Sequence, residues 1–541
     1  MRFTSLTALL GASALATAAV AQQEAEPQFS PDRVKAHVAF LADDLLEGRN
    51  AGTRGYDLAA RYVASQFEAL GLQPAAAGSW YQQVPFHESS LGPANAALTI
   101  GGTRFANAKD VLMGSSALEA RQSVTAPVVF VGYGLHAPEL GIDDYKGLDV
   151  KGKVVAILSG FPKGMASDIG AHLASTKSVA AEKHGAIGAV SIVTPSALKV
   201  FPWERRLPYA SIPTLTWVGP DGKPHTEAPG VRVGAQLNRP AAEALFKGAR
   251  RPLADIIAES EKEGVKPKGF PLTQTVAFER ESASRRFTSP NVIAMLPGSD
   301  PALKNEYVLL MGHLDHDGID EKLEGDKIYN GAMDNAAGVA TMLEAARALA
   351  ASPKRPRRPI LFAAVTAEED GLLGAQYLAK NPVTPGGKIV AVVNLDMPIL
   401  TYDFQDVVAF GAEHSTLGPI VQRATARDGV KLSPDPTPEE GLFTRSDHYM
   451  FVREGIPSIF LVTGHAGAGK AAVEEFAGKH YHRVTDDMKL PLNWKAGAKF
   501  ARINYLIARE IADAPAAPLW YSDSFFGGVM APNQPKAQRP K

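Results

Sequence analysis

The sequence predicts an α/β protein built on a mostly parallel, twisted sheet with helices on both faces, and a β-rich unit inserted into it. Two observations support this prediction. From about residue 306 onward, short apolar runs alternate with helix-length amphipathic segments, which is typical of parallel strands joined by helical crossovers. Between about residues 125 and 192, short apolar runs bounded by glycine follow one another closely, which indicates a separate strand-rich unit.

The length and composition are those of a soluble globular protein with more than one domain. The chain has 541 residues, of which 45% are hydrophobic and 21% are charged, so we expect two or three domains. The formal net charge of −1 gives no reason to expect nucleic acid or an acidic membrane as a partner. The sequence contains no cysteine, so any zinc must be bound by histidine and carboxylate side chains.

The N-terminus has the features of a secretory signal. A positive start at Met1-Arg2 is followed by a short apolar stretch from Leu6 to Val20, and Ala19-Val20-Ala21 forms an A-x-A cleavage site. We therefore expect residues 1–21 to be removed, leaving a periplasmic or secreted protein without stable membrane insertion. An uncleaved membrane anchor is the alternative.

Two helices are predicted next. The segment Ser30-Pro31-Asp32 combines a cap, a first-turn proline and an acidic residue, which indicates a helix start. A second helix is predicted from about Tyr56 and ends at Gly71. The loop between them, residues 47–55, is dense in glycine and arginine.

The middle of the chain carries three apolar runs that predict strands, namely APVVFVGYG, GKVVAILSG and GAIGAVSIV. A helix is predicted from Ser175 to His184, before the third run. The mixed polar stretch from Arg251 to Ser284 is interpreted as the return to the main unit.

The second main segment alternates regularly between strands and helices. Strands are predicted at 307–311, 359–365, 388–394 and 457–462, and helices at 336–350 and 372–380. Beyond Ala514 the tail is rich in proline, alanine and glycine. We expect it to be either disordered or a strap against the body.

Ionisable residues directly follow several of these strands. His313 follows the first, the pair Glu368-Glu369 follows the second, and Asp396 follows the third. Because the carboxyl ends of parallel strands meet at one edge of a sheet, we expect these side chains to lie close together. Adjacent acids point in different directions, so one glutamate can bind a metal while the other faces a water molecule.

Three further residues complete the set. Asp315 is placed to accept a hydrogen bond from the His313 ring nitrogen that is not on the metal. Asp334 precedes an alanine-rich helix, whose dipole tolerates a carboxylate, and His482 lies in a loop after the last strand. Each residue alone is also consistent with a cap, a solvated loop or core packing. Apart from Asp315, two imidazoles and four carboxylates at strand ends together indicate a two-metal hydrolytic site.

The blocks that carry these residues are GHLDHDG, NGAMDNAAG, TAEEDG, NLDM and KHYHRVTDD. Through them, the chain from about Ser30 to Ala512 resembles the di-zinc exopeptidases of the aminopeptidase Y and bacterial leucyl aminopeptidase type (zinc-peptidase family twenty-eight). The segment FVGYGLHAPELGIDDYKGLDVKGKVVAIL resembles a protease-associated domain.

The resemblance implies a domain organisation. It places a discontinuous zinc-peptidase domain at 30–115 and 270–513 and an inserted protease-associated domain at 116–269. The signal peptide occupies 1–21 and a C-terminal tail occupies 514–541.

The resemblance also implies roles for the site residues. His313 and Asp396 would bind one Zn²⁺ ion, Glu369 and His482 would bind a second, and Asp334 would bridge both. The bond from Asp334 to Asn335 is expected to be cis.

In the same scheme, Glu368 would be the general base that takes the proton of the attacking water, and Asp315 would orient His313. The expected activity is removal of N-terminal residues from peptide substrates. Nothing in the sequence identifies the group that would hold a free α-amine, so a carboxypeptidase or a dipeptidase stays open.

Two functions outside this class are also considered. A catalytically inactive, receptor-like binding ectodomain would have lost metal ligands, and none is lost here. A single-zinc acyltransferase of the glutaminyl cyclase type shares the fold, but the complete two-metal set argues against it. About one tightly bound zinc per chain would favour that second alternative.

Two other sequence blocks lie close to the predicted site residues along the chain. GHAGAGKA at 464–471 nearly matches a phosphate-binding loop, but Ala471 lacks the hydroxyl that would bind magnesium. We interpret its glycines as an active-site loop that leads to His482. The block from Arg445 to Tyr449 is expected near the substrate pocket, and the sequence assigns it no role.

Overall fold

The computed structural model describes residues 26–540, apart from the side chains of residues 92–95. The predicted signal peptide lies outside the described residues. Within them, no helix combines the length and the apolar character that crossing a lipid bilayer requires.

Fifteen α-helices are present in the described part of the chain. In order, they are α1 (Pro31–Leu41), α2 (Arg54–Ala69), α3 (Ser167–Ser175), α4 (Lys177–Lys183), α5 (Pro195–Val200), α6 (Trp203–Arg206), α7 (Arg239–Leu245), α8 (Leu253–Ser260), α9 (Gly338–Ala350), α10 (Leu373–Lys380), α11 (Leu417–Ala426), α12 (His448–Arg453), α13 (Gly469–Lys479), α14 (Trp494–Asp513) and α15 (Phe525–Met530). A single π-helical turn, Ala332–Ala337, precedes α9.

Short 3₁₀ helices connect several of these elements. They cover Asp44–Arg49, Pro138–Leu140, Leu207–Ser211, Ala412–His414, Pro438–Glu440 and Leu442–Thr444.

The strands vary widely in length. They are β1 (Gln73–Pro74), β2 (Tyr81–Ile100), β3 (Thr103–Ala106), β4 (Val111–Leu112), β5 (Arg121–Phe130), β6 (His136–Ala137), β7 (Ile142–Asp143), β8 (Val154–Leu158), β9 (Gly188–Ile192), β10 (Thr214–Trp217), β11 (Val233–Leu237), β12 (Phe270–Leu296), β13 (Glu306–His313), β14 (Gly318–Ile319), β15 (Ile328–Tyr329), β16 (Ile360–Val365), β17 (Lys388–Leu395), β18 (Asp406–Phe410), β19 (Lys431–Ser433), β20 (Ser458–Thr463), β21 (Trp520–Tyr521) and β22 (Lys536–Ala537).

Four parallel strands form the centre of the main sheet, in the order β20, β17, β13, β16. Antiparallel strands flank them, with β18 beside β20 and β12 beside β16. Val308 and Leu310 pack with α1, α2, α9 and α14 on one face. Leu309 and Met311 pack with α10 and α12 on the other face, because successive side chains of a strand point to opposite sides. The predicted sheet with helices on both faces is confirmed.

A long antiparallel ribbon links the main sheet to the inserted unit. Residues 292–296 of β12 pair with β16, whereas residues 270–281 pair with β5. Strand β2 pairs with β12 along most of its length. Beyond β5, the strands β8, β9 and β11 continue in parallel.

The core of the inserted unit extends beyond its predicted limits. Val128, Val154 and Val190 pack in one cluster with Val111 and Phe270, and the last two lie outside the range 116–269. The boundaries of the inserted domain stay a prediction.

The stretch from Arg251 to Ser284, interpreted from the sequence as the return to the main unit, is partly regular structure. It contains α8 and the first half of β12. Buried and more exposed residues alternate along β12 from 270 to 281, and residues 282–288 are exposed or half-buried, so this half of the strand shows no continuous apolar run in the sequence.

The C-terminal tail is a strap against the body. Trp520 is 1% exposed, and its indole N–H donates a hydrogen bond of 2.9 Å to the Gly455 carbonyl. Phe526 is fully buried in the cluster formed with α10 and α12. These two aromatic side chains therefore fix the tail to one face of the main sheet.

Candidate metal centre

The predicted site residues converge at the carboxyl-terminal edge of the four parallel strands. His313 is the last residue of β13, Asp396 directly follows β17, and the pair Glu368-Glu369 lies in the turn after β16. Asp334 lies in the π turn before α9. His482 reaches the same edge from the segment that follows α13.

Each imidazole faces two carboxylates. Nε2 of His313 lies 3.0 Å from Oδ1 of Asp396 and 3.2 Å from Oδ1 of Asp334. Nε2 of His482 lies 3.3 Å from Oδ2 of Asp334 and 3.2 Å from Oε2 of Glu369. The two oxygens of Asp334 therefore face different histidines.

These separations are those of ligands that share a metal ion. Tetrahedral zinc with bonds of about 2.0–2.2 Å places its ligand atoms roughly 3.3 Å apart. The four histidine–carboxylate distances lie between 3.0 and 3.3 Å. The donors thus fit two ions, and the Asp334 carboxylate lies between the two sets.

Acidic groups outnumber cationic groups at this edge, which favours binding of divalent cations. Despite the opposing effect of burial, the carboxylates of Asp334 and Glu369 raise the pKa of His482 to about 12. Burial raises the pKa of Glu368 well above its ordinary range. The carboxyl groups gathered here are Asp315, Asp317, Asp334, Glu368, Glu369, Asp370, Asp396, Asp447 and Asp486.

The predicted contact of Asp315 differs in the structure. Its backbone carbonyl oxygen, and not its carboxylate, lies 3.2 Å from Nδ1 of His313. The carboxylate instead accepts the backbone N–H groups of Glu368 and Glu369, at 3.1 and 3.2 Å. The turn after β16 presents these two N–H groups side by side, and a buried carboxylate is better satisfied by two donors. Asp315 therefore orients the two glutamates as well as the histidine.

The turn that carries Asp334 is fixed from two sides. The Asp334–Asn335 peptide bond is cis, as the family resemblance implies. The Asn335 amide donates to the Leu395 carbonyl at 2.9 Å. Asp486 accepts the backbone N–H groups of Met333 and Asp334, at 2.8 and 3.0 Å. Asp486 thus ties the turn to the segment that carries His482.

A buried arginine also fixes the turn that carries Asp334, through hydrogen bonds to backbone carbonyls. Arg49, 1% exposed, donates to the backbone carbonyls of Leu314 and Gly331 at 2.9 and 3.1 Å. Its guanidinium also donates to the carbonyls of Leu41 and Asn330. One side chain from the loop at 47–55 therefore joins both ligand-bearing segments to the N-terminal helices.

The block from Arg445 to Tyr449 supplies a partner for Asp396. The hydroxyl of Ser446 donates to Oδ2 of Asp396 at 2.6 Å, and it accepts the amide of Asn394 at 2.6 Å. Oδ2 is thereby occupied, so Oδ1 is the oxygen that faces His313.

Two residues of the block GHLDHDG were not singled out by the sequence analysis. His316 is fully buried, and its Nδ1 lies 2.6 Å from Oε1 of Glu369. Oδ2 of Asp317 lies 3.4 Å from Nδ1 of His482. Both residues therefore orient the same half of the site, and their place in a ligand-bearing block was the available signal.

The block GHAGAGKA connects β20 to α13. Helix α13 then leads to the segment that carries His482. Gly469 begins the helix, and the second half of the predicted loop is helical.

Comparison with known sequences finds a match to one protein family. The model described as "Peptidase family M28" matches residues 291–508, which include every predicted site residue. This segment is therefore similar to peptidase family M28.

Known relatives match part of the chain. A "Probable zinc metalloprotease" of Pyrenophora teres f. teres is 40% identical over 107 residues, which are 20% of this chain and 22% of the relative. A "probable leucine aminopeptidase 2" of Aspergillus oryzae is 29% identical over 231 residues, covering 38% of this chain and 42% of the relative. The chain thus spans less than half the length of these two relatives.

Among solved structures, the "Aminopeptidase from Aneurinibacillus sp. strain AM-1" is similar over most of both chains. The match covers 91% of this chain and 95% of the other, with a TM-score of 0.51 and 21% identity. This similarity supports the shared fold.

Replacement of Ser446 tests the link between the hydrogen-bond network and metal binding. Ser446→Ala is expected to weaken zinc binding about 10- to 100-fold, because Asp396 loses the donor that orients it. Titration of the metal-free protein with Zn²⁺ measures the effect. The matched control is Ser458→Ala, which removes a buried hydroxyl on β20 that, among the described residues 26–540, donates only to the Ile456 carbonyl. Equal zinc affinities in the two variants would contradict the role of Ser446.

Proposed function

We propose that the protein is a zinc-dependent aminopeptidase that is exported to the periplasm or secreted, and that it uses two zinc ions. The observation that carries this proposal is the position of the Asp334 carboxylate between two imidazoles. Each imidazole has a second acid of its own, Asp396 for His313 and Glu369 for His482. The match of residues 291–508 to the M28 family model and the relatives named as zinc metalloprotease and leucine aminopeptidase support the same activity.

The proposed ligands form two sets that share one carboxylate. His313 and Asp396 would hold one ion, His482 and Glu369 would hold the other, and Asp334 would contact both. When bound, zinc supplies the Lewis acidity that lowers the pKa of water toward neutrality and polarises a peptide carbonyl.

Glu368 is the proposed general base. One of its carboxylate oxygens lies within 4.8 Å of the potential ligand atoms of His313 and Asp396. Glu368 therefore lies beside the first proposed set of ligands. Its backbone is fixed by Asp315. Within residues 26–540, no hydrogen bond engages its carboxylate, which leaves the oxygens available to a water molecule. Glu368 would take a proton from the attacking water and deliver it to the scissile-bond nitrogen, which becomes the new N-terminal amine of the shortened peptide.

The two alternative functions differ from this proposal in their metal requirement. A receptor-like ectodomain needs no complete ligand set. The short distances from the two histidines to Asp334, Asp396 and Glu369 instead support a complete set. A single-zinc acyltransferase needs only one group of ligands. The contact of Asp334 with both histidines supports the co-catalytic peptidase instead.

Replacement of Glu368 separates catalysis from metal binding. Glu368→Gln is expected to lower kcat about 10²- to 10⁴-fold, because the amide cannot accept the proton. Its zinc content should equal that of the unmodified protein. Steady-state hydrolysis and metal analysis of the same samples provide the two readouts.

The matched control is the neighbouring residue. Glu369→Gln is expected to lose both zinc and activity, because this carboxylate is proposed to bind the metal. Near-normal turnover in Glu368→Gln would refute its role as the base.

Paired peptide substrates test which end of the peptide is hydrolysed. We expect peptides with a free N-terminus to lose residues from that end, and their N-acetylated counterparts to be resistant. Removal of zinc by a chelator should abolish the hydrolysis, and added Zn²⁺ should restore it. Mass spectrometry of the products identifies the cleaved end. Release of C-terminal residues, or equal cleavage of the blocked peptides, would contradict the aminopeptidase assignment.

A further inference from the structure

A second group of potential metal ligands lies in the inserted unit, apart from the residues assigned above. It consists of His136, Asp143 and His184, which can each offer one ligand atom within 4.8 Å of the others. His136 and Asp143 face each other across the short hairpin β6–β7. His184 directly follows α4. The group therefore joins a hairpin to the end of a helix.

The spacing of the donors matches that of the candidate metal centre. Nε2 of His184 lies 3.2 Å from Nδ1 of His136, and Nδ1 of His136 lies 3.6 Å from Oδ1 of Asp143. Ligands of a tetrahedral ion are separated by roughly 3.3 Å. Two of the three donor separations are thus close to those of ligands on one zinc-sized ion, and the third is within 4.8 Å.

The surrounding residues hold these donors in place. The ring of Tyr145 stacks on His184, with centroids 4.3 Å apart and an interplanar angle of 5°. The Tyr145 side chain is buried, and its backbone N–H donates to Oδ1 of Asp143 at 3.1 Å. One residue therefore orients two of the three donors, so little side-chain entropy would be lost when an ion binds.

A lysine competes for one of the imidazoles. Nζ of Lys183 lies 3.0 Å from Nε2 of His136, and this contact favours a proton on Nδ1, the nitrogen that would bind the ion. Lys183 is exposed, so its side chain can move into solvent at small cost. Binding of the ion would then place the proton of His136 on Nε2 and leave Nδ1 free to coordinate.

We propose that His136, Asp143 and His184 form a binding site for one divalent transition-metal ion of the zinc class. Imidazole and carboxylate ligands without cysteine suit such an ion. The side chains of His136 and Asp143 are 16% and 36% exposed, so water can fill the open coordination position. The ion would fasten the hairpin β6–β7 to the end of α4, and it would stabilise the inserted unit without taking part in the reaction.

The test counts metal ions in the full-length protein. After saturation with Zn²⁺ and removal of free metal, mass spectrometry should find one more ion per chain in the unmodified protein than in His184→Ala. His136→Ala, which removes a ligand from the hairpin side, should show the same loss of one ion. Circular dichroism verifies that both variants are folded.

The matched control is Lys183→Ala, which removes the competing cation and no ligand. It should keep the full ion count and bind the additional ion at least as tightly as the unmodified protein. Equal counts in the unmodified protein and in both histidine variants would overturn the proposal. Because the readout is a difference of one ion, it is independent of whether the catalytic centre binds one zinc or two.

Discussion

The carboxylate of Asp334 lies between two imidazoles, and the rest of the site is arranged around this contact. A buried carboxylate with acids on both sides is unfavourable unless cations compensate for its desolvation and for the repulsion between like charges. Histidines on opposite sides of Asp334, each with its own acid, provide the geometry in which two divalent ions would supply that compensation. Compensation of the negative charges by two cations would therefore account for the many acidic groups that lie together at the sheet edge.

The fold positions these side chains by fixing the backbone around each proposed ligand. Arg49 binds carbonyl groups of both ligand-bearing segments, and Asp486 binds the N–H groups of the Asp334 turn. Asp315 binds the N–H groups of the two glutamates, and Ser446 occupies the second oxygen of Asp396. These partners come from distant parts of the chain, so folding of the whole domain is needed to position the ligands. Partners of this kind commonly tune metal affinity as strongly as they tune geometry.

Much of the main unit could be predicted because its signals are local. Strands such as β13 and β16 are continuous apolar runs, and the ionisable residues that follow them must lie at the same edge of a parallel sheet. The ribbon of β2 and β12 could not be predicted in this way. Its side chains alternate between buried and exposed over much of β12, and the pairing partner lies far away in the sequence.

The hydrogen-bond partners of the proposed ligand segments also could not be predicted from the sequence. Arg49 lies in a loop more than two hundred residues before Leu314 and Gly331, whose carbonyls it binds, and its burial is visible only once the helices are packed. The carboxylate of Asp315 was expected at His313, and yet it caps two backbone N–H groups. Sequence spacing shows which residues are near one another, but competition between donors decides which contact forms.

Diffraction from crystals of the zinc-loaded protein, measured on both sides of the zinc absorption edge, tests the central claim most directly. The proposed two-zinc site predicts two anomalous peaks at the edge of the main sheet, about 3.5–4 Å apart. One should lie beside His313 and Asp396 and the other beside His482 and Glu369, with Asp334 between them. A single peak there, or two peaks of which only one contacts Asp334, would contradict the account.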